Sequence, residues 1–187
     1  MSVIVAAAEE AFTNHGTNAS LEEIARRAGV GSATLHRYFP SRRSLLEVVF
    51  RERVEALCSR AGEHARGSDP GTALFSWLRD FNAYAAAGHG LVGSLLRDSP
   101  DAGLLTDDDG CAAMITAAAD ELLRRARRAG TVRAGIRAED LLALVSAINL
   151  VTEEDDDGTQ ADRLLDITLT GVRSHACERG ATSPEGS

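Results

Sequence analysis

Ser32, Ala33, Thr34, His36, Arg37 and Tyr38 fall within seven residues of one another. Together they offer three hydroxyls, an imidazole, a guanidinium and one small methyl. Hydroxyls and guanidinium groups bond phosphate oxygens, a guanidinium can also bond the edge of guanine, and a small side chain lets a backbone approach the bases. This is the chemistry of duplex recognition, provided that a helix presents those residues on one side. Leu35 and Phe39, four apart, supply the opposite, inward side, and Pro40 stops the helix. Ser32 is placed to cap its start. Upstream, Ser20 can cap another helix, with Glu23 completing a capping box. Leu21, Ile24, Ala25 and Ala28 share one face of that helix, and Gly29 stands where a turn needs positive φ. Two short helices around a glycine turn have the layout of a helix-turn-helix, whose second helix enters a major groove.

Charge supports this locally. The chain is acidic, with 20 basic and 28 acidic residues and a net charge of −8. Yet Ile24 to Leu46 holds Arg26, Arg27, Arg37, Arg42 and Arg43 and no Asp or Glu. Residues 1–53 carry seven Arg and six Glu, a net of +1, so −9 of the total lies on residues 54–187. A duplex is drawn to the first segment and repelled by the rest. A solvated helix face is the alternative for such a run of arginines.

The stretch Ile4 to Val49 resembles the DNA-binding module of the TetR family of one-component transcriptional regulators. The matching residues are Ala-Ala-Ala-Glu-Glu-Ala-Phe, Leu-Glu-Glu-Ile-Ala-Arg-Arg-Ala-Gly-Val and Thr-Leu-His-Arg-Tyr-Phe-Pro-Ser-Arg. The resemblance implies an all-α homodimer, with a three-helix helix-turn-helix domain followed by a six-helix domain that binds an effector and dimerises. It also implies that Ser20 and Thr34 offer hydroxyls to phosphates and that Tyr38 and Arg42 anchor the backbone on the other flank. Ser32, Ala33 and Arg37 would lie nearest the base edges. For Arg37 two roles stay open, since arginine is both the commonest reader of guanine and the commonest phosphate anchor. Two departures stand out. His36 replaces the usual tyrosine, and its ring can still donate to a phosphate and adds charge, hence affinity, when protonated at acidic pH. No Arg or Lys precedes Arg26, so either minor-groove contacts are dispensed with or the natural start lies upstream.

Beyond this module the sequence predicts amphipathic helices over about 41–64, 70–87, 91–97, 107–129, 138–152 and 160–174. The expected boundaries are residues 1–45 for DNA binding, 46–178 for effector binding and dimerisation, and 179–187 for a disordered tail. Asp69 and Pro70 mark a helix start. Asp107 to Asp109 and Arg124, Arg125, Arg127 and Arg128 oppose the dipole of one long helix at its two ends, so those arginines do not form a second DNA site. The segments Ala129-Gly130-Thr131-Val132-Arg133 and Glu139-Asp140-Leu141-Leu142 again resemble TetR-type regulators, whose last two helices pair with those of a second copy. Residues 138–152 are apolar over more than one face, which suits a dimer or a fully buried central helix. Leu144 and Leu165 are the expected interface residues.

The resemblance puts an effector pocket among the helices over 41–129, with 138–152 as a wall. Trp77, Phe81, Tyr84 and Met114 are candidates for its apolar lining, with Asn82, His89 and Asn149 as polar fixtures; each also reads as ordinary core or surface. Few charges line it, which favours a neutral or hydrophobic effector. Cys58, Cys111 and Cys177 lack metal-ligand spacing and read as reduced cytosolic thiols. Glu153 to Asp157 reads as a solvated loop with no calcium-site spacing. No cofactor and no metal is expected, nor a secretory signal or membrane span. Hydrophobic residues make up 44% and aromatics 4% of the chain, so the core is chiefly Leu, Ala, Val and Ile. No phosphate-binding loop, nucleophile elbow or zinc-protease motif is present, so catalysis is not expected. The reading is a cytoplasmic, ligand-responsive repressor. The alternative is a helical small-molecule sensor or carrier with little sequence-specific DNA binding.

Overall fold

The computed structural model describes residues 2–15, 19–98, 110–152 and 158–174, with the side chains of Ser2, Thr13 and residues 88–98 excepted. Its helices are α1 (Ser2–His15), α2 (Leu21–Arg27), α3 (Ser32–Tyr38), α4 (Arg42–Gly67), α5 (Pro70–Asp98), α6 (Cys111–Arg128), α7 (Ala138–Val151) and α8 (Thr159–Val172). Among the described residues the fold is all-α, apart from an isolated bridge between Val132 and Arg173. It divides into two compact units, one of residues 1–59 with 83–115, the other of 60–82 with 116–187. Helices α4 and α5 each contribute to both.

In the first unit, Ile4, Ala8, Ala11 and Phe12 line one face of α1, and they join Ile24, Ala25, Leu35, Phe39, Leu45, Leu46 and Val49 in a single core. The turn from α2 to α3 follows from local chemistry. Gly29 takes φ +68°. Its N–H donates to Arg26 O at 3.2 Å and that of Val30 to Ala25 O at 3.0 Å, the paired bonds of a Schellman end. Ser41 and Ser44 start α4 by a reciprocal exchange: each backbone N–H donates to the other's Oγ, at 3.2 and 3.1 Å.

In the second unit, Asp69 Oδ1 accepts from the N–H groups of Gly71 and Thr72, both at 3.1 Å, and Pro70 opens α5 as expected. Trp77, Leu78, Leu122, Leu123, Leu141, Val145, Leu165 and Leu169 are buried there. Helix α7 packs on α8. Arg133 N–H donates to Val172 O at 3.1 Å and Ser174 N–H to Thr131 O at 3.0 Å, tying the loop before α7 to the end of α8.

Several boundaries differ from expectation. The helices expected over 70–87 and 91–97 are one helix. Gly88 and Gly90 look like breakers, but glycine within a helix costs only ~1 kcal/mol against alanine. The expected six helices after the DNA module are therefore five among the described residues. Helix α6 runs from Cys111, directly after Gly110 at φ +68°, a value that a right-handed helix does not include. Asp107 to Asp109, the Glu153 to Asp157 loop, Cys177, the side chain of His89 and the tail 179–187 lie outside the described residues.

Candidate nucleic-acid interface

The face of α3 opposite Leu35 carries the residues expected to meet DNA. Ser32, Ala33, His36, Arg37 and Tyr38 are exposed and Thr34 is half-buried. Gly31, and not Ser32, is the N-cap of α3. Ser32 is the first helical residue, so its hydroxyl is not engaged in a capping bond. Ser20 does cap α2: its Oγ accepts from the Glu23 N–H at 3.1 Å. The second half of that capping box is replaced. The Glu23 carboxylate instead accepts from Arg26 and Arg27, each at 2.8 Å. The hydrogen bond from Arg27, then that from Arg26, holds its carboxyl below the usual range.

These pairings sort the five arginines of the basic segment. Arg26 and Arg27 face Glu23, with Glu10 3.4 Å from Arg27. Arg43 faces Glu47 at 3.1 Å. Arg37, by contrast, meets no carboxylate among the described residues, and its guanidinium lies over the Tyr38 ring, 5.2 Å from the centroid. Tyr38 is itself 54% exposed. Arg42 is half-buried and stacks over Phe12, 5.6 Å from its centroid. The basic character seen in the sequence therefore narrows to the outward side of α3 and the entry to α4. Counting arginines overstates it, because Glu23 and Glu47, just outside the acid-free stretch, pair with Arg26, Arg27 and Arg43 one helical turn away, and Glu10 of α1 adds a contact that only the fold supplies.

Two of the four arginines of α6 are engaged elsewhere. Arg124 pairs with Glu121, and Arg125 donates to Ala65 O at 2.7 Å.

The expected effector residues divide between the units. Trp77, Phe81 and Asn149 are in one, Tyr84 and Met114 in the other. The Trp77 and Phe81 rings stack with centroids 6.0 Å apart. Asn149, 4% exposed, donates from Nδ2 to Asn82 Oδ1 at 2.8 Å and to Val145 O at 3.0 Å. Tyr84 and Met114 are half-buried. A shallow groove on α8, lined by Asp162, Arg163, Asp166, Ile167 and Thr170, includes none of these. Cys58 and Cys111 are free and half-buried. Burial, then Cys111 and Glu55, pushes the Cys58 thiol up, which lowers its thiolate content. Among the described residues no group of three or more His, Cys, Asp or Glu could hold a metal, and no helix is long and apolar enough to cross a membrane.

Leu144 and Leu165, both expected at a dimer interface, have different positions. Leu144 is 49% exposed, but Leu165 is 1% exposed and belongs to the protomer's own core. Leu150, Val151 and Ile167, not singled out as interface residues from the sequence, are 62%, 71% and 64% exposed.

Comparison with known proteins agrees with this architecture. The family model for bacterial regulatory proteins of the tetR family matches residues 4–49, and that for the C-terminal domain of SbtR-like transcriptional regulators matches residues 69–174. A TetR transcriptional regulator from Streptomyces coelicolor is 38% identical, with 94% of this chain and 99% of that chain covered and a TM-score of 0.79. A TetR regulator from Mycobacterium vanbaalenii is 32% identical over 92% of this chain and 93% of its own, with a TM-score of 0.72. A FadR regulator from Bacillus subtilis, solved in complex with stearoyl-CoA, shares the fold at 17% identity, 91% and 98% coverage and a TM-score of 0.66. The search of curated proteins gives no match. The chain belongs to the TetR family of transcriptional regulators.

Proposed function

We propose that the protein is a cytoplasmic homodimeric repressor that holds operator DNA through residues 1–45 and is released by a small-molecule effector bound within residues 46–178. The observation that carries this is the outward face of α3. It is exposed, its residues are polar or small, and Arg37 has no carboxylate partner among the described residues. In this reading Ser20 and Thr34 bond phosphates on one flank, while Tyr38 and Arg42 hold the other. Ser32, Ala33, His36 and Arg37 face the groove.

Dimerisation is supported by α7 and α8. Leu144, Leu150 and Val151 leave the outer side of α7 apolar, and Ile167 does the same on α8. Apolar surface of this kind marks an interaction site. A second copy pairing there would supply the second α3 helix that reading successive major grooves, ~34–36 Å apart, requires. Release is supported by the continuity of α4, which runs unbroken from Arg42 beside the DNA module to Gly67. A ligand contacting Trp77, Phe81, Tyr84, Met114 or Asn149 that shifts α4 by a coupling of ~1–3 kcal/mol lowers operator affinity five- to 150-fold. The apolar Trp77 and Phe81 stack, beside one neutral amide pair, suits an uncharged or largely hydrophobic effector.

Selection of bound sequences from a random duplex pool tests the DNA reading. The expected product is an inverted repeat whose half-sites are centred one helical turn apart. A pool that returns no enriched sequence would favour a small-molecule sensor or carrier with little sequence-specific DNA binding.

A further inference from the structure

Arg53 lies on α4, eleven residues into the helix, and its side chain is only 15% exposed. Its guanidinium meets two groups from distant parts of the chain. Nε lies 3.5 Å from Glu9 Oε1 on α1. The guanidinium carbon lies over the Tyr84 ring of α5, 5.9 Å from the centroid. All three residues belong to the first unit, which takes in residues 83–98 of α5 together with the DNA-binding helices. Both contacts are long, so the guanidinium has room to shift toward either partner. A cation held between a carboxylate and a π face redistributes its interaction when either partner moves.

The next residue of α1 continues the chain of contacts. Glu10 Oε1 lies 3.4 Å from Arg27 of α2, and Arg27 in turn bonds Glu23, the residue whose N–H closes the α2 cap. Glu9 and Glu10 thus point the two sides of α1 toward α4 and α2.

We propose that Arg53 is a positioning residue that couples α5 at Tyr84 to the DNA-binding helices, by sharing its charge between the Tyr84 ring and Glu9. When the ring is withdrawn, the guanidinium turns to Glu9 and α1 follows. When the ring is in place, α1 is held in its present setting. The link deepens the effector-release reading by naming how α5 reports to α1 and α2, and it rests on that reading only for its biological consequence.

Hydrogen exchange on the full-length free protein tests the link without any DNA or effector. In the native background Tyr84→Leu, which removes the ring, is expected to change amide exchange in α1 and α2 about fivefold, the size of a direct coupling. Tyr84→Phe keeps the ring and is expected to leave those amides as they are. In an Arg53→Met background, Tyr84→Leu is expected to have no further effect on α1 or α2. Arg53→Lys keeps a charge that both Glu9 and the ring attract, so it is expected to retain part of the response that Arg53→Met loses. An equal response to Tyr84→Leu with and without Arg53 would overturn the proposal, because packing alone would then carry it. So would no response in the native background, or a rise spread equally through α7 and α8, which reports global loosening. If these exchange results hold but no DNA sequence is selected, the link stands and the operator reading fails.

Discussion

The outer faces of α3 and α7 are both open to solvent, yet their chemistry is opposite. Helix α3 displays Ser32, His36, Arg37 and Tyr38, whereas α7 displays Leu144, Leu150 and Val151. Exposure alone identifies neither partner. A helix that turns hydroxyls, an imidazole and a carboxylate-free guanidinium outward is suited to a polyanion. A helix that turns leucines outward is suited to another apolar surface. The rest of the basic segment sharpens the contrast, since Arg26, Arg27 and Arg43 count equally with Arg37 in the sequence but face Glu23 and Glu47.

The largest effect expected from breaking the comparison is on α7 and α8. Leu144→Glu combined with Ile167→Glu places charge on the apolar faces, and sedimentation is expected to show a folded monomer. Its operator affinity should fall at least about hundredfold, since the two heads no longer bind as one. A dimer of unchanged stability would remove these faces from the interface. Leu165→Glu is expected to unfold the protomer instead, because it buries an unpaired charge in the core.

On the α3 side, Arg37→Ala is expected to cost ~1–3 kcal/mol of operator binding. Relaxed preference at one base position makes Arg37 a base reader. Uniform weakening, with the salt slope reduced by about one, makes it a phosphate anchor. A variant with native affinity and native salt slope would take Arg37 out of the interface.

The buried amide pair gives a third, comparable effect. Asn149→Leu leaves Asn82 facing a methyl group and should destabilise the fold by ~1–3 kcal/mol in denaturant titration. Replacing both by leucine should recover much of that loss, as both partners then leave together.

The smallest effect is on acid stability. Bonds from Thr72, side chain first and then backbone, and from the Gly71 N–H hold the Asp69 carboxyl below its ordinary range. A carboxyl depressed in the folded state adds stability above its unfolded value, and that stability is lost as pH falls through the folded value. The melting temperature should therefore drop as pH is lowered below about 4, the ordinary aspartate range. Asp69→Asn retains an acceptor for the cap and should flatten that slope. An unchanged slope would mean that Asp69 contributes no pH dependence.

Much of the DNA module is legible in the sequence because its determinants are local. Ser20 caps α2 and Gly29 closes it within ten residues, and Leu35 and Phe39 fix which side of α3 turns inward. Helix α5 was harder to read, because Gly88 and Gly90 resemble a break that the surrounding helix tolerates. Leu144 and Leu165 show a deeper limit. Periodicity assigns each to an apolar stripe, but whether a stripe faces its own core or another copy depends on how α7 and α8 pack. The capping box at Ser20 was half legible, since the arginines that draw away the Glu23 carboxylate lie on the same short helix. The Arg53 link was not legible at all. Residues 9, 53 and 84 share no spacing, and only the fold brings them together.

The measurement that bears most directly on operator recognition is fluorescence anisotropy with the DNA flanking this protein's own gene, against a scrambled duplex, across a salt series. Recognition through the exposed face of α3 predicts saturable binding that prefers the flanking DNA by ~10³-fold or more. Equal, weak binding to both duplexes with the same steep salt slope would contradict it, leaving only a basic face without sequence preference.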